Sequence, residues 1–127
     1  RYENVSSAAA EEGVIRLLMT DPALIRQTGG LDKSDFSSPY LAGIYEMIIN
    51  RYGDGQNISL ASVASELDSD GASRLTLIMQ KPEDMAERSK AMADYIEKIK
   101  TEKLKESSKD DLLAVREKLR EKKGYGG

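Results

Sequence analysis

Apolar residues at Leu41, Ile44, Tyr45, Ile48, Ile49 and Tyr52 follow the i, i+3, i+4, i+7, i+8, i+11 spacing of one buried helix face. Ser38 offers a side-chain oxygen to the first free backbone N–H groups. Pro39 suits the first helical position, where its missing N–H costs nothing. Gly53 offers a left-handed residue for the stop. This well-bounded apolar segment is expected to be the central helix against which the others pack.

The flanking pattern predicts further helices. Ser7 can cap a helix whose inner face is Ala10, Val14, Leu17 and Leu18, with Glu11 and Glu12 in its first turns. Pro22 ends it, and Asp21-Pro22 opens a short second helix with Leu24 and Ile25 inward, closed by Gly29-Gly30. Leu31–Phe36 reads as a single turn that delivers Phe36, the only phenylalanine, to the core. After the central helix, Ser59 caps a helix to about Leu67, with Val63, Ala64 and Leu67 inside. Asp68-Ser69-Asp70-Gly71 reads as a turn, and Leu75, Ile78 and Met79 mark one more short helix.

The texture changes at Lys81-Pro82. From Glu83 to about Glu106 a thinner seam runs through Met85, Met92, Tyr95 or Ile96, Ile99 and Leu104. Ser108 with Asp111 three residues on resembles a capping box, which predicts a break at 107–111 and a final helix carrying Leu112, Val115 and Leu119. The expected architecture is all-α: a compact helical bundle over residues 1–81, then a long helix and C-terminal helical hairpin over 82–127. So narrow a hairpin cannot be stable alone and must lean on the bundle or on another protein.

Composition removes several kinds of chemistry. The chain has 127 residues, no cysteine and no histidine, so thiol nucleophiles, disulfides and the commonest general base and metal ligand are excluded. No apolar run approaches the ~20 residues that span a bilayer, and none has the order of a signal peptide. Its opening at Arg1 suggests a piece of a longer protein. The net charge of −3 divides into −4 over 1–81 and +1 over 82–127, with +4 concentrated between Lys98 and Lys123. Acids are interleaved there, so a solvated, ion-paired helix surface is expected rather than a phosphate-binding stripe.

No catalytic or metal constellation emerges. Glu66, Asp68 and Asp70 lack the ligand spacing of a calcium loop and read as an inter-helix turn. Gly53-Asp54-Gly55 has no Lys-Ser/Thr after it and is no phosphate loop. Ser37-Ser38 and Ser107-Ser108 have no histidine partner and read as caps. No cofactor and no catalytic residue is expected.

Glu11-Glu12-Gly13-Val14-Ile15-Arg16-Leu17-Leu18-Met19-Thr20-Asp21-Pro22 resembles the opening of a helical domain shared by the amino end of bacterial replicative helicases and the carboxyl end of DnaG-type primases. The likeness continues through Phe36–Pro39, Ile44–Ile48 and Asn57–Leu67, covering 11 to about 80. The expected hairpin and glycine-rich end resemble the primase form, the helicase-binding domain. That resemblance implies a non-catalytic module recruiting primase, a cytoplasmic RNA-polymerising transferase, to the N-terminal domains of the hexameric helicase in the primosome. Nucleic acid would be met only through domains outside this chain, and no membrane is involved.

The expected helicase-binding residues are Tyr95, Ile99, Leu112, Val115, Arg116, Leu119, Lys122 and Lys123, an apolar strip rimmed by cations. Two alternatives stand beside this reading. One is the N-terminal collar domain of the replicative helicase itself. The other is weak single-stranded nucleic-acid binding by the Lys98–Lys123 region.

Overall fold

The computed structural model describes residues 1–126, with side chains described as far as Arg120. Five helices are present among the described residues: α1 (Val5–Thr20), α2 (Pro39–Gly53), α3 (Leu60–Ala64), α4 (Ser69–Gln80) and α5 (Arg88–Gly126). Short 3₁₀ turns lie at Pro22–Gln27, Lys33–Asp35 and Met85–Glu87. No strand occurs among the described residues, and the all-α expectation holds.

The hub is α1, not α2. It packs most extensively on α5 and also against α2, α4 and the Pro22–Gln27 turn. Ala8, Ala10, Val14, Ile15, Leu17 and Leu18 are all buried on it. The expected face of α2 is buried at Leu41, Ile44, Tyr45 and Ile48, but Ile49 is half-buried and Tyr52 is exposed. Gly13 lets α5 approach α1 closely, and the small residues Ala8 and Ala10 are buried on the same helix.

Local chemistry sets the boundaries. Asn4, rather than Ser7, caps α1 by accepting from the Ser7 N–H at 3.0 Å. Ser38 caps α2 with Pro39 at its first position, as expected. The left-handed residue after α2 is Gly55 (φ +69°), two residues beyond Gly53. Asp68 accepts from the Gly71 N–H at 2.7 Å and starts α4, so the expected turn at 68–71 is a helix start. Phe36 reaches the core as expected and stacks on Tyr45 with ring centroids 4.7 Å apart.

Two buried polar clusters tie α1 to its neighbours. The Glu11 carboxylate, fully buried, accepts from the Ser7 hydroxyl (2.6 Å), the Ser37 N–H (2.9 Å), the Ser37 hydroxyl (2.6 Å) and the Ser38 N–H (3.1 Å). It therefore satisfies backbone donors at the entry to α2 that would otherwise be orphaned. Glu12 accepts from the Tyr2 hydroxyl at 2.7 Å and from the Lys81 ammonium group. Arg16 donates to Glu83 at 3.1 Å and to the Ile78 carbonyl at 3.3 Å. Glu83 also receives the Tyr95 hydroxyl, at 2.7 and 2.9 Å. Burial first, then that hydrogen bond to an anion, pushes the Tyr95 phenol above its ordinary value.

The largest departure from expectation is at the C-terminal end. No hairpin forms among the described residues, and α5 runs unbroken through Ser107–Asp111. The cap pattern there fails because nothing forces non-helical backbone. Between Glu83 and Lys123 there is neither glycine nor proline. Serine and aspartate within a helix cost only roughly 0.5 kcal/mol each. A reversed last helix would have had only Leu112, Val115 and Leu119 to repay the turn.

Candidate docking surface

The first half of α5 belongs to the core. Met92 and Ile99 are fully buried, and Tyr95 and Ile96 are half-buried. Gly13 makes this approach possible: a Cβ there would lie 2.3 Å from the Tyr95 ring. Lys100 and Lys103 then clasp the carboxylate of Asp35 at 2.9 and 2.8 Å. Burial pushes Asp35 up, but the Lys103 and Lys100 ammonium groups and the Asp32 backbone N–H outweigh it and leave the carboxyl at about 2. Glu102, ion-paired with Lys105 at 3.1 Å, is the last buried position.

From Lys103 to Arg120 every residue is exposed. This segment carries Leu104, Leu112, Leu113, Val115 and Leu119 at 68, 60, 48, 53 and 55% exposure. With about 100° of turn per residue, Leu104, Val115, Leu119 and Leu112 share an arc of about 80°. Met92, Tyr95, Ile96 and Ile99 lie on about the opposite side of the helix. The exposed strip therefore faces away from the bundle, and the cation Arg116 lies beside it.

The eight expected contact residues are divided by this geometry. Ile99 is buried in the core, and Tyr95 is spent on Gly13 and Glu83. The expected packing of Leu112, Val115 and Leu119 back onto Tyr95, Ile96 and Ile99 does not occur, because one continuous helix carries both sets. Leu112, Val115, Arg116 and Leu119 stand in solvent. The side chains of Lys122 and Lys123 lie outside the described residues. Leu104, assigned to the inner seam from its spacing, is the most exposed of the strip.

Among the described residues the rest of the surface offers no competing chemistry. Glu66 pairs with Arg51, and Asp68 is spent as the cap of α4. Among the described residues no group of three or more acidic side chains is placed to hold a metal ion. An open groove of about 520 Å³ beside α2 is lined by Ile25, Leu31, Tyr45 and Ile49, with Lys33 and Glu46 paired across its rim at 2.6 Å. No described helix is long and apolar enough to cross a membrane.

Beyond the core, one helix continues and carries an exposed apolar strip among the described residues. The family model of the DnaB-like helicase N-terminal domain matches residues 3–102, ending where the last buried position of α5 lies. The chain belongs to that family. Its fold is similar to the crystal structure of the N-terminal domain of DnaB helicase from Mycobacterium tuberculosis. That match has a TM-score of 0.67 and 24% identity, covering 84% of this chain and 83% of the other. A comparison with curated proteins finds none that matches.

These findings correct the primase assignment. The family matched is the helicase domain, the alternative weighed above, and the hairpin that favoured primase is absent from the described residues. The primase-based activity, primosome role and transferase class fall with it.

Proposed function

We propose that this chain is the collar domain of a bacterial replicative helicase: a non-catalytic module that associates with helicase N-terminal domains in the cytoplasm. The family match supports the helicase setting. The observation that carries the docking role is the projecting half of α5, whose Leu104, Leu112, Val115 and Leu119 are each at least half exposed. A monomer leaves so ordered an apolar strip in water at a cost of about 25 cal/mol per Å². Burial against a partner recovers that cost.

The test is self-association of the intact chain, measured by analytical ultracentrifugation at tens of micromolar. The double variant Leu112→Asp/Leu119→Asp should keep its helicity by circular dichroism, since both sites are exposed, and lose association at least tenfold. No association by the wild-type chain, or undiminished association by the variant, would refute the reading.

A further inference from the structure

Arg16, Arg51 and Arg74 are the arginines that are at least partly buried among the described residues. Arg16 pairs with Glu83 and Arg51 with Glu66, whereas Arg74 pairs with no carboxylate among the described residues. Two phenol rings hold it instead. Its guanidinium carbon lies 3.9 Å from the centre of the Tyr40 ring and 5.7 Å from that of Tyr2. Each ring is anchored in turn: the Tyr40 hydroxyl donates to the Gly71 carbonyl at 2.6 Å, and the Tyr2 hydroxyl to Glu12 at 2.7 Å. Burial raises both phenols, Tyr2 to about 12, so neither supplies an anion at neutral pH. The nearby acids are committed elsewhere. Glu12 takes the Lys81 ammonium group, and Asp68 takes the Gly71 N–H as the cap of α4.

A guanidinium stacked on a ring keeps its N–H donors in its own plane, clear of both faces. Stacking fixes that plane, so less side-chain freedom is left to lose when an anion binds. A planar fork without a counter-charge fits a carboxylate, which accepts two parallel N–H···O bonds from it. Leu77 follows at i+3 on the same face of α4 and is 63% exposed. Tyrosine and arginine are the residue types that concentrate binding energy at protein contacts, and Leu77 adds apolar area beside them.

We propose that the Arg74 fork, held between Tyr40 and Tyr2, receives the carboxylate of a glutamate or aspartate from a partner protein, with an aliphatic neighbour of that acid covering Leu77. The contact lies on α4 and shares no residue with the apolar strip of α5, so it stands apart from whether the strip associates.

Two short helical peptides serve as probes, each with one leucine and, three residues from it, either glutamate or its glutamine twin. They are titrated into the isotope-labelled intact chain and followed by NMR. The glutamate peptide should shift the Arg74 Nε–Hε and Leu77 methyl resonances and bind about tenfold more tightly than the glutamine twin. Arg74→Lys keeps the charge and loses the fork, so it should weaken the glutamate peptide by about fivefold or more. Tyr40→Leu should weaken it similarly, whereas Tyr40→Phe, which keeps the ring, should stay within about twofold of wild type. Lys98→Gln, on α5, should also stay within about twofold. Equal affinity for the two peptides, shifts that leave Arg74 untouched, or Arg74→Lys binding as wild type would each overturn the proposal. So would binding of a phosphoserine twin or a dT20 oligonucleotide about tenfold more tightly than the glutamate peptide, which would assign the fork to phosphate.

Discussion

Gly13→Ala is the most incisive test of how α5 is held. An alanine in the middle of a helix ordinarily helps, by about 0.5–1 kcal/mol over glycine. Here the added Cβ would sit 2.3, 2.4 and 2.7 Å from three atoms of the Tyr95 ring, well inside contact distance. The ring cannot slide away freely, because its hydroxyl is held by Glu83, which in turn holds Arg16. Overpacking of this kind costs about 1–3 kcal/mol, so the expected net loss is about 1–2 kcal/mol. For a chain of this size that is roughly 3–8 °C in Tm. Urea denaturation of four proteins decides the matter: wild type, Gly13→Ala, Tyr95→Ala and the double variant. With the ring gone, Gly13→Ala should become neutral or stabilising, giving a coupling of at least about 1 kcal/mol between the two sites. If Gly13→Ala stabilises the wild-type background, or if its effect is unchanged beside Tyr95→Ala, the close approach described here is wrong.

Three further outcomes are expected. Ile48→Ala should destabilise by roughly 2–5 kcal/mol, because Ile48 is fully buried and the site cannot collapse completely; a loss below about 0.5 kcal/mol in chemical denaturation would place the wrong face of α2 inside. Glu11→Ala should cost about 2–4 kcal/mol, since the Ser37 and Ser38 N–H groups lose their acceptor, and a loss under about 1 kcal/mol would show that water replaces the carboxylate. Asp35 titrates at about 2 in the folded chain against an ordinary 3.8, so its stabilisation is present in full above about pH 4 and is lost as pH falls through 2. Because Lys100 and Lys103 are half-exposed and screened, the amount is about 1–2 kcal/mol; a difference between wild type and Asp35→Asn that does not shrink between pH 4 and pH 2 would count against the clasp.

Much of the fold is legible where one residue type has one physical use. Ser38-Pro39 can only start a helix, and Phe36 beside an apolar face has to go inward. The errors come where a local signal competes with a distributed one. Ser108 and Asp111 mimic a cap, but a cap acts only if the preceding backbone leaves the helix, and no residue from Glu83 to Lys123 compels that. Glu11 reads as an acid in a favourable helix turn, whereas it is a buried acceptor. Its phase carries a signal: with Ala8, Ile15 and Leu18 it falls on one seam at i, i+3, i+7 and i+10, an apolar face with a single carboxylate in it. The partners that make this tolerable, Ser37 and Ser38, are 26 and 27 residues away, beyond the reach of periodicity. The exposed apolar strip is visible in the spacing of Leu112, Val115 and Leu119. Its direction depends on the continuity of α5, so a reading that breaks the helix folds it back onto residues that the core has already taken.

That continuity makes α5 a lever. Its fulcrum is the contact of Gly13 with Tyr95, and Leu119 lies 24 residues further along, about 36 Å at about 1.5 Å per residue. A tilt of about 10° at the fulcrum would sweep the far leucine through about 6 Å, a full helix turn in reach. The placement of a distant apolar edge is thus set by one absent methyl group, and whatever pulls on the tip loads the Tyr95–Glu83–Arg16 chain at the root.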